Sequence, residues 1–183
     1  MTSFKIGIKG ISPLLMHSTR SLVDTGNSRG GKPTPEQEAE LGLYYNSDNK
    51  IVVPVESIMG SIRDAASDFR VPGKGAKTYK NYVLSGIRIP TPPVISPQEW
   101  SVDSRPVRIK NSRIIRSRPK WDNWDLEFQV DLLDSEIWLD PFDKVYSGGS
   151  RLFDIISAAG RFKGIGDFRP LYGRFEVRKF EKM

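Results

Sequence analysis

The chain has 183 residues, 38% of them hydrophobic and 10% aromatic, which suits a single domain spanning 1–183, with anything further expected as an insertion rather than a second fold. With no cysteine and one histidine, His17, it excludes disulfides, thiol nucleophiles, thiolate metal sites and multi-histidine centres, so no metal and no cofactor is expected. Lys and Arg outnumber Asp and Glu by 28 to 22, giving +6 and a pI near 9.5, and no apolar run reaches the roughly 20 residues of a membrane span or forms a signal-peptide core, so a soluble cytoplasmic protein is expected.

Residues 3–11 alternate Phe4, Ile6 and Ile8 with Lys5, Gly7 and Lys9, the period of a half-buried strand ended by Pro13. Residues 17–35 are Ser-, Gly- and Asn-rich with no period and read as a long polar loop. Pro35 followed by Glu36, Glu38 and Glu40 marks a short helix start, and the turn residues 46–49 separate Leu43-Tyr44-Tyr45 from Ile51-Val52-Val53 as a small hairpin. Residues 54–70 place Val55, Ile58, Met59, Ile62, Ala65, Ala66 and Phe69 on one helical stripe, ended by Pro72-Gly73. Residues 73–82 are basic with interleaved tyrosines. Their Lys74-Gly75-Ala76-Lys77-Thr78 is not a phosphate loop, because Val71 stands where its first glycine belongs.

A strand is predicted at 86–90, followed by a proline-rich connector. Residues 105–118 alternate around Asn111-Ser112 and predict a projecting β-hairpin. Trp124 to Leu133 is the clearest strand of the chain. Residues 150–162 align Leu152, Ile155, Ile156 and Ala159 on a helical face, and a last strand carries Phe175, Val177 and Phe180. Without the short hairpins the order is β-α-β-β-α-β, so the expected fold class is α+β, ferredoxin-like or RNA-recognition-motif-like. Insertions are expected at about 12–53 (loop and small hairpin) and 72–120 (basic loop and thumb hairpin).

Charge is unevenly distributed. Residues 105–120 hold seven basic side chains and no acid: Arg105, Arg108, Lys110, Arg113, Arg116, Arg118 and Lys120. Residues 121–143 hold eight acids and no base. Clustered cations of this kind suit a polyanion, although a solvated basic face has the same composition. Between the second long helix and the last strand lies Gly164-Ile165-Gly166-Asp167-Phe168-Arg169-Pro170-Leu171-Tyr172-Gly173-Arg174-Phe175. Its glycines could bring backbone N–H groups onto a phosphate, with Arg161, Lys163, Arg169 and Arg174 supplying charge, or could simply form a tight turn.

Three stretches together resemble the RAMP superfamily (repeat-associated mysterious proteins), in particular the backbone subunits of CRISPR effector complexes. They are the first strand with Ser12-Pro13-Leu14-Leu15-Met16, the helix entry Val53-Pro54-Val55-Glu56-Ser57-Ile58-Met59-Gly60-Ser61-Ile62-Arg63, and the glycine-rich loop 164–175. The helix entry departs from the family pattern in carrying Met59 where a lysine is usual, and Phe168-Arg169-Pro170 interrupts the loop. The basic hairpin falls where such subunits carry a thumb that crosses the bound strand.

The resemblance implies a non-catalytic protein that binds single-stranded RNA, or single-stranded DNA, along its phosphates. It also implies head-to-tail assembly of copies into a helical filament, alone or with other effector subunits, in a reduced relative of the kind phages or plasmids encode. The cations offered are Arg63, Lys74, Lys77, Lys80, Arg105, Arg108, Arg113, Arg116, Arg118, Arg161, Lys163, Arg169 and Arg174, with Gly164 and Gly166 as backbone contacts and Tyr79, Phe168 and Tyr172 as stacking candidates. Trp121 and Tyr82 are further aromatic candidates. Two alternatives stand beside this reading. Some RAMP relatives are ribonucleases, metal-independent ones with a histidine after the first strand, where His17 lies, others with a loop aspartate, where Asp24 lies. A mimic that joins a host effector complex is the other.

Overall fold

The computed structural model describes residues 2–20, 33–109, 112–134, 137–138 and 150–183. Three long strands make up most of the larger sheet: β1 (Thr2–Gly10), β7 (Asp125–Leu132) and β8 (Phe175–Lys182). β1 and β7 alternate as the sequence predicts, whereas a register shift opposite Gly7 and Ile8 breaks the alternation of β8 between Val177 and Lys179. Phe4, Ile6 and Ile8 of β1, with Leu126, Phe128 and Val130 of β7, are buried. On the same side Phe180 lies 4.9 Å from Phe4 and 5.4 Å, edge-on, from Phe153 of the helix α4 (Arg151–Ala158).

The sheet order is β3–β7–β1–β8, every pairing antiparallel, and two short strands, β3 (Ile87–Arg88) and β4 (Ile95–Ser96), take separate stretches of the β7 edge. A second, three-stranded sheet is ordered β2–β6–β5, from β2 (Leu14–Leu15), β6 (Ser112–Trp121) and β5 (Ser101–Ile109). The described helices number four: α1 (Pro35–Leu41), α2 (Val55–Ala66), α3 (Lys80–Gly86) and α4, which runs into a π turn at Ala159–Lys163. The fold is therefore α+β with antiparallel sheets. None of the described helices is long and apolar enough to cross a membrane.

Several elements differ from expectation. α3 replaces part of the expected basic loop: two turns bury only Val83 and Gly86, too few residues to show a helical period in the sequence. The small hairpin reduces to one bridge, Tyr45 to Ile51. α2 ends at Ala66, before Phe69. The basic hairpin is not a bare projection. Its base is the core of the second sheet, and α1 lies along the β6 edge, where Glu38 accepts the Ser117 backbone N–H at 3.1 Å and the Arg116 guanidinium at 2.8 Å. That carboxylate closes an edge that would otherwise offer an unpaired donor.

The outer face of the larger sheet carries Ser3, Lys5, Lys9, Glu127, Gln129, Asp131, Lys179 and Glu181, and no aromatic ring. Lys5 pairs with Glu127 at 2.9 Å and Lys179 with Glu181 at 3.4 Å. Asp131, 1% exposed, accepts from Gln129, Ser3 and Arg88, which together hold its pKa below the usual carboxylate range. This face has no ring on which a base could stack, unlike the sheet of an RNA-recognition motif.

Candidate nucleic-acid interface

The register of the hairpin decides which way its cations point. Asp103 faces Arg118, Arg105 faces Arg116, and Arg108 faces Arg113. Side chains alternate along a strand, so Asp103, Arg105, Arg116 and Arg118 share one face while Arg108 and Arg113 project from the other. The first face is turned toward the glycine-rich loop. Arg105 bonds both oxygens of Asp103 and donates to the Tyr172 hydroxyl at 2.7 Å. Arg118, 8% exposed, donates from Nε to Asp167 at 2.5 Å, and its Nη1 is buried with no hydrogen-bond partner.

Two aromatic rings complete this layer. The Arg118 guanidinium lies 4.8 Å from the Phe168 ring centre and that of Arg105 lies 5.6 Å away; Arg105 also lies 4.8 Å from the ring of Tyr172. Phe168 adopts φ of 56°, a conformation uncommon for a residue with a side chain, and remains 37% exposed. Both stacking candidates therefore already carry guanidinium groups. The third, Tyr79, is corrected: it is 3% exposed, 5.3 Å from Trp138, with its hydroxyl donating to the carbonyl of Ile137 at 3.3 Å. It immediately precedes α3, and burying Val83 one turn on turns the ring into the core. Trp121, at 2% exposure, is likewise a core residue.

The glycines do not form a phosphate nest. The Gly164 N–H donates to Ala159, that of Ile165 to Gly173, that of Gly166 to the Ser57 hydroxyl and that of Asp167 to Leu15, all at 2.8–2.9 Å. These amides are committed within the chain. The glycines are required by close approach, since a Cβ on Gly166 would lie 2.4 Å from the Leu15 carbonyl oxygen.

Six of the thirteen expected phosphate ligands stand beside carboxylates. Arg63 binds Asp64 at 2.7 Å, Lys163 binds Asp68 at 2.9 Å, Arg116 binds Glu38, and Arg169 stands 3.8 Å from Asp64. Arg174 donates to the Pro170 carbonyl at 2.7 Å. For Asp103 a signal was present, because it precedes Arg105 by two residues on one strand face. Glu38 and Asp167 lie 78 and 49 residues from their partners, and only the fold unites them. Lys74, Lys77, Lys80, Arg113 and Arg161 are exposed and form no ion pair among the described residues, and Arg108 is exposed beside Arg113.

His17 lies in a cleft of about 480 Å³ between β2, the start of α2 and the glycine-rich loop, lined also by Tyr44, Glu56, Ser57, Asp167 and Arg169. Burial first, and then the Arg118 charge, lowers its pKa below the usual 6.5 of an imidazole. Asp24 lies outside the described residues.

No family model and no curated protein matches this chain. Among solved structures, a Cas6 product complex is similar at 9% identity with a TM-score of 0.33, the match covering 94% of this chain and 50% of that one. The chain thus spans about half the length of that protein. A similarity of this extent carries no inference about activity.

Proposed function

We propose that this chain binds single-stranded nucleic acid, RNA ahead of DNA, along its phosphate backbone, as a RAMP-like domain on the split βαβ plan. The strand order β3–β7–β1–β8, with α2 between β1 and β3 and α4 between β7 and β8, supports that plan. The observation that carries the reading is the hairpin register. Arg108 stands directly opposite Arg113, both exposed, and Arg105 opposite Arg116. Arg113 forms no ion pair among the described residues, so the hairpin presents its charge to solvent, where a phosphate can meet it. The contacts nearer the hairpin base are neutralised internally, so the distal pair and the lysines at 74, 77 and 80 supply the contacts.

Salt titration of a labelled oligouridine tests this. About five phosphate contacts give a slope near −3.5 in log affinity against log salt. Replacing Arg108 and Arg113 with alanine lowers that slope by about 1.4, equally for every sequence. Salt-independent binding overturns the proposal. The same reading extends to successive copies queued head-to-tail on one strand, tested by the number of chains bound as the oligonucleotide lengthens.

A second reading, endoribonuclease activity, is favoured by the placement of His17. Its lowered pKa leaves the imidazole neutral near pH 7, and a neutral imidazole in a cleft with Ser57 and Asp167 can take a proton from a ribose hydroxyl. His17→Ala then slows cleavage of labelled RNA by about 100-fold or more. Unchanged cleavage by that variant removes His17 from the mechanism.

A further inference from the structure

The cleft beside α2 holds a carboxylate that neither reading uses. Glu56 lines it, and among the described residues Glu56 makes no ion pair and no hydrogen bond. A cation is close at hand: Arg169 lines the same cleft, yet its ion-pair partner is Asp64, 3.8 Å away. The walls are apolar, formed by Leu14, Met16 and Val53, at most 2% exposed, together with the half-buried Tyr44, whose hydroxyl is fixed by donating to the His17 carbonyl at 3.1 Å. At about 480 Å³ the cleft lies within the size range of small-molecule sites. An apolar lining, the solvent-exposed Glu56 carboxylate as an acceptor and one rim cation suit the base, edge and phosphate of a single nucleotide.

We infer that this cleft receives one extruded guanine nucleotide, with the Glu56 carboxylate accepting from the base's Watson–Crick edge and Arg169 facing its phosphate. The choice of base follows from donor counting. A carboxylate only accepts hydrogen bonds. Guanine offers it two adjacent donors, N1–H and the N2 amino group. Adenine and cytosine each set one amino donor beside a ring nitrogen that is itself an acceptor, and uracil flanks its single N–H with two carbonyls. The inference rests on the strand-binding reading for the class of ligand. It adds sequence preference at one position to binding that elsewhere follows the phosphates alone.

Calorimetric titration of the full chain with GMP, AMP, CMP and UMP tests the cleft without requiring strand binding. GMP binds about tenfold or more tightly than the other three. In Glu56→Gln the guanine preference is lost and the order shifts toward AMP and CMP, because a glutamine amide matches the amino donor and ring-nitrogen acceptor that both bases present. Oligouridine carrying a single central G, against the same strand with A, then reads the preference in a polymer. Equal binding of the four nucleotides, or a guanine preference that survives both Glu56→Gln and Glu56→Ala, overturns the inference. Failure of oligouridine to bind while GMP binds selectively removes the phosphate-tracking reading and leaves the cleft assignment standing.

Discussion

At Gly173 a Cβ would sit 1.7 Å from the carbonyl oxygen of Ile165, on a backbone with φ of +71°. Neither the clash nor the left-handed conformation can relax without moving the loop, whose amides are spent on Pro13, Leu15 and Ser57. Gly173→Ala is therefore expected to cost about 3 kcal/mol or more in denaturant unfolding, with no ligand present. His17 gives a residue-scale prediction in pH. Its folded pKa is lowered by burial and by Arg118, so below the unfolded value of 6.5 the unfolded chain binds the extra proton. Its contribution to stability is present above 6.5 and is lost as pH falls toward the folded pKa. His17→Gln is expected to flatten the stability profile in that window. An unchanged profile would place the titration on another group.

The elements were legible to different degrees, and for physical reasons. β1 and β7 each bury one face, so their two-residue period is visible, whereas a register shift interrupts it in β8. α2 shows its stripe because Ile58, Ile62, Ala65 and Ala66 all meet the core. α3 is too short to show one. The hairpin was legible as a hairpin, but its attachment was not, since Glu38 reaches Arg116 from another part of the chain. Removing that carboxylate (Glu38→Ala) leaves a partly buried guanidinium and an edge N–H without an acceptor. A loss of about 2 kcal/mol is expected, read by thermal or urea unfolding. Arg113 behaves oppositely. Replacing it with threonine is expected to leave stability within about 0.5 kcal/mol while weakening strand binding. A variant that loses both would mean that Arg113 supports the fold.

For the molecule as a whole, +6 describes the function poorly, because much of the positive charge is matched internally. Composition announces a basic protein; only the fold separates cations that build the chain from those facing outward. The outer sheet face, ringless and salt-bridged, is expected to take no part in binding. Lys5→Ala should therefore leave oligouridine affinity within about twofold, since one exposed pair there is worth little. The candidate cleft was half legible: His17 follows the first strand, and Glu56 and Ser57 share the helix-entry stretch, but nothing in the sequence places that stretch against the glycine-rich loop.

Among the described residues β8 ends the larger sheet, and no described strand lies along its outer side. A second molecule could in principle dock there, strand against strand. In the antiparallel register that would mate all eight residues, Glu176 meets Glu181 and Arg178 meets Lys179 across the twofold axis. Both couples repel, which makes the outermost strand a poor handshake between copies. Crowding many molecules onto one polynucleotide would then not glue them sheet to sheet, and neighbours on a shared thread would stay separable once the thread is digested.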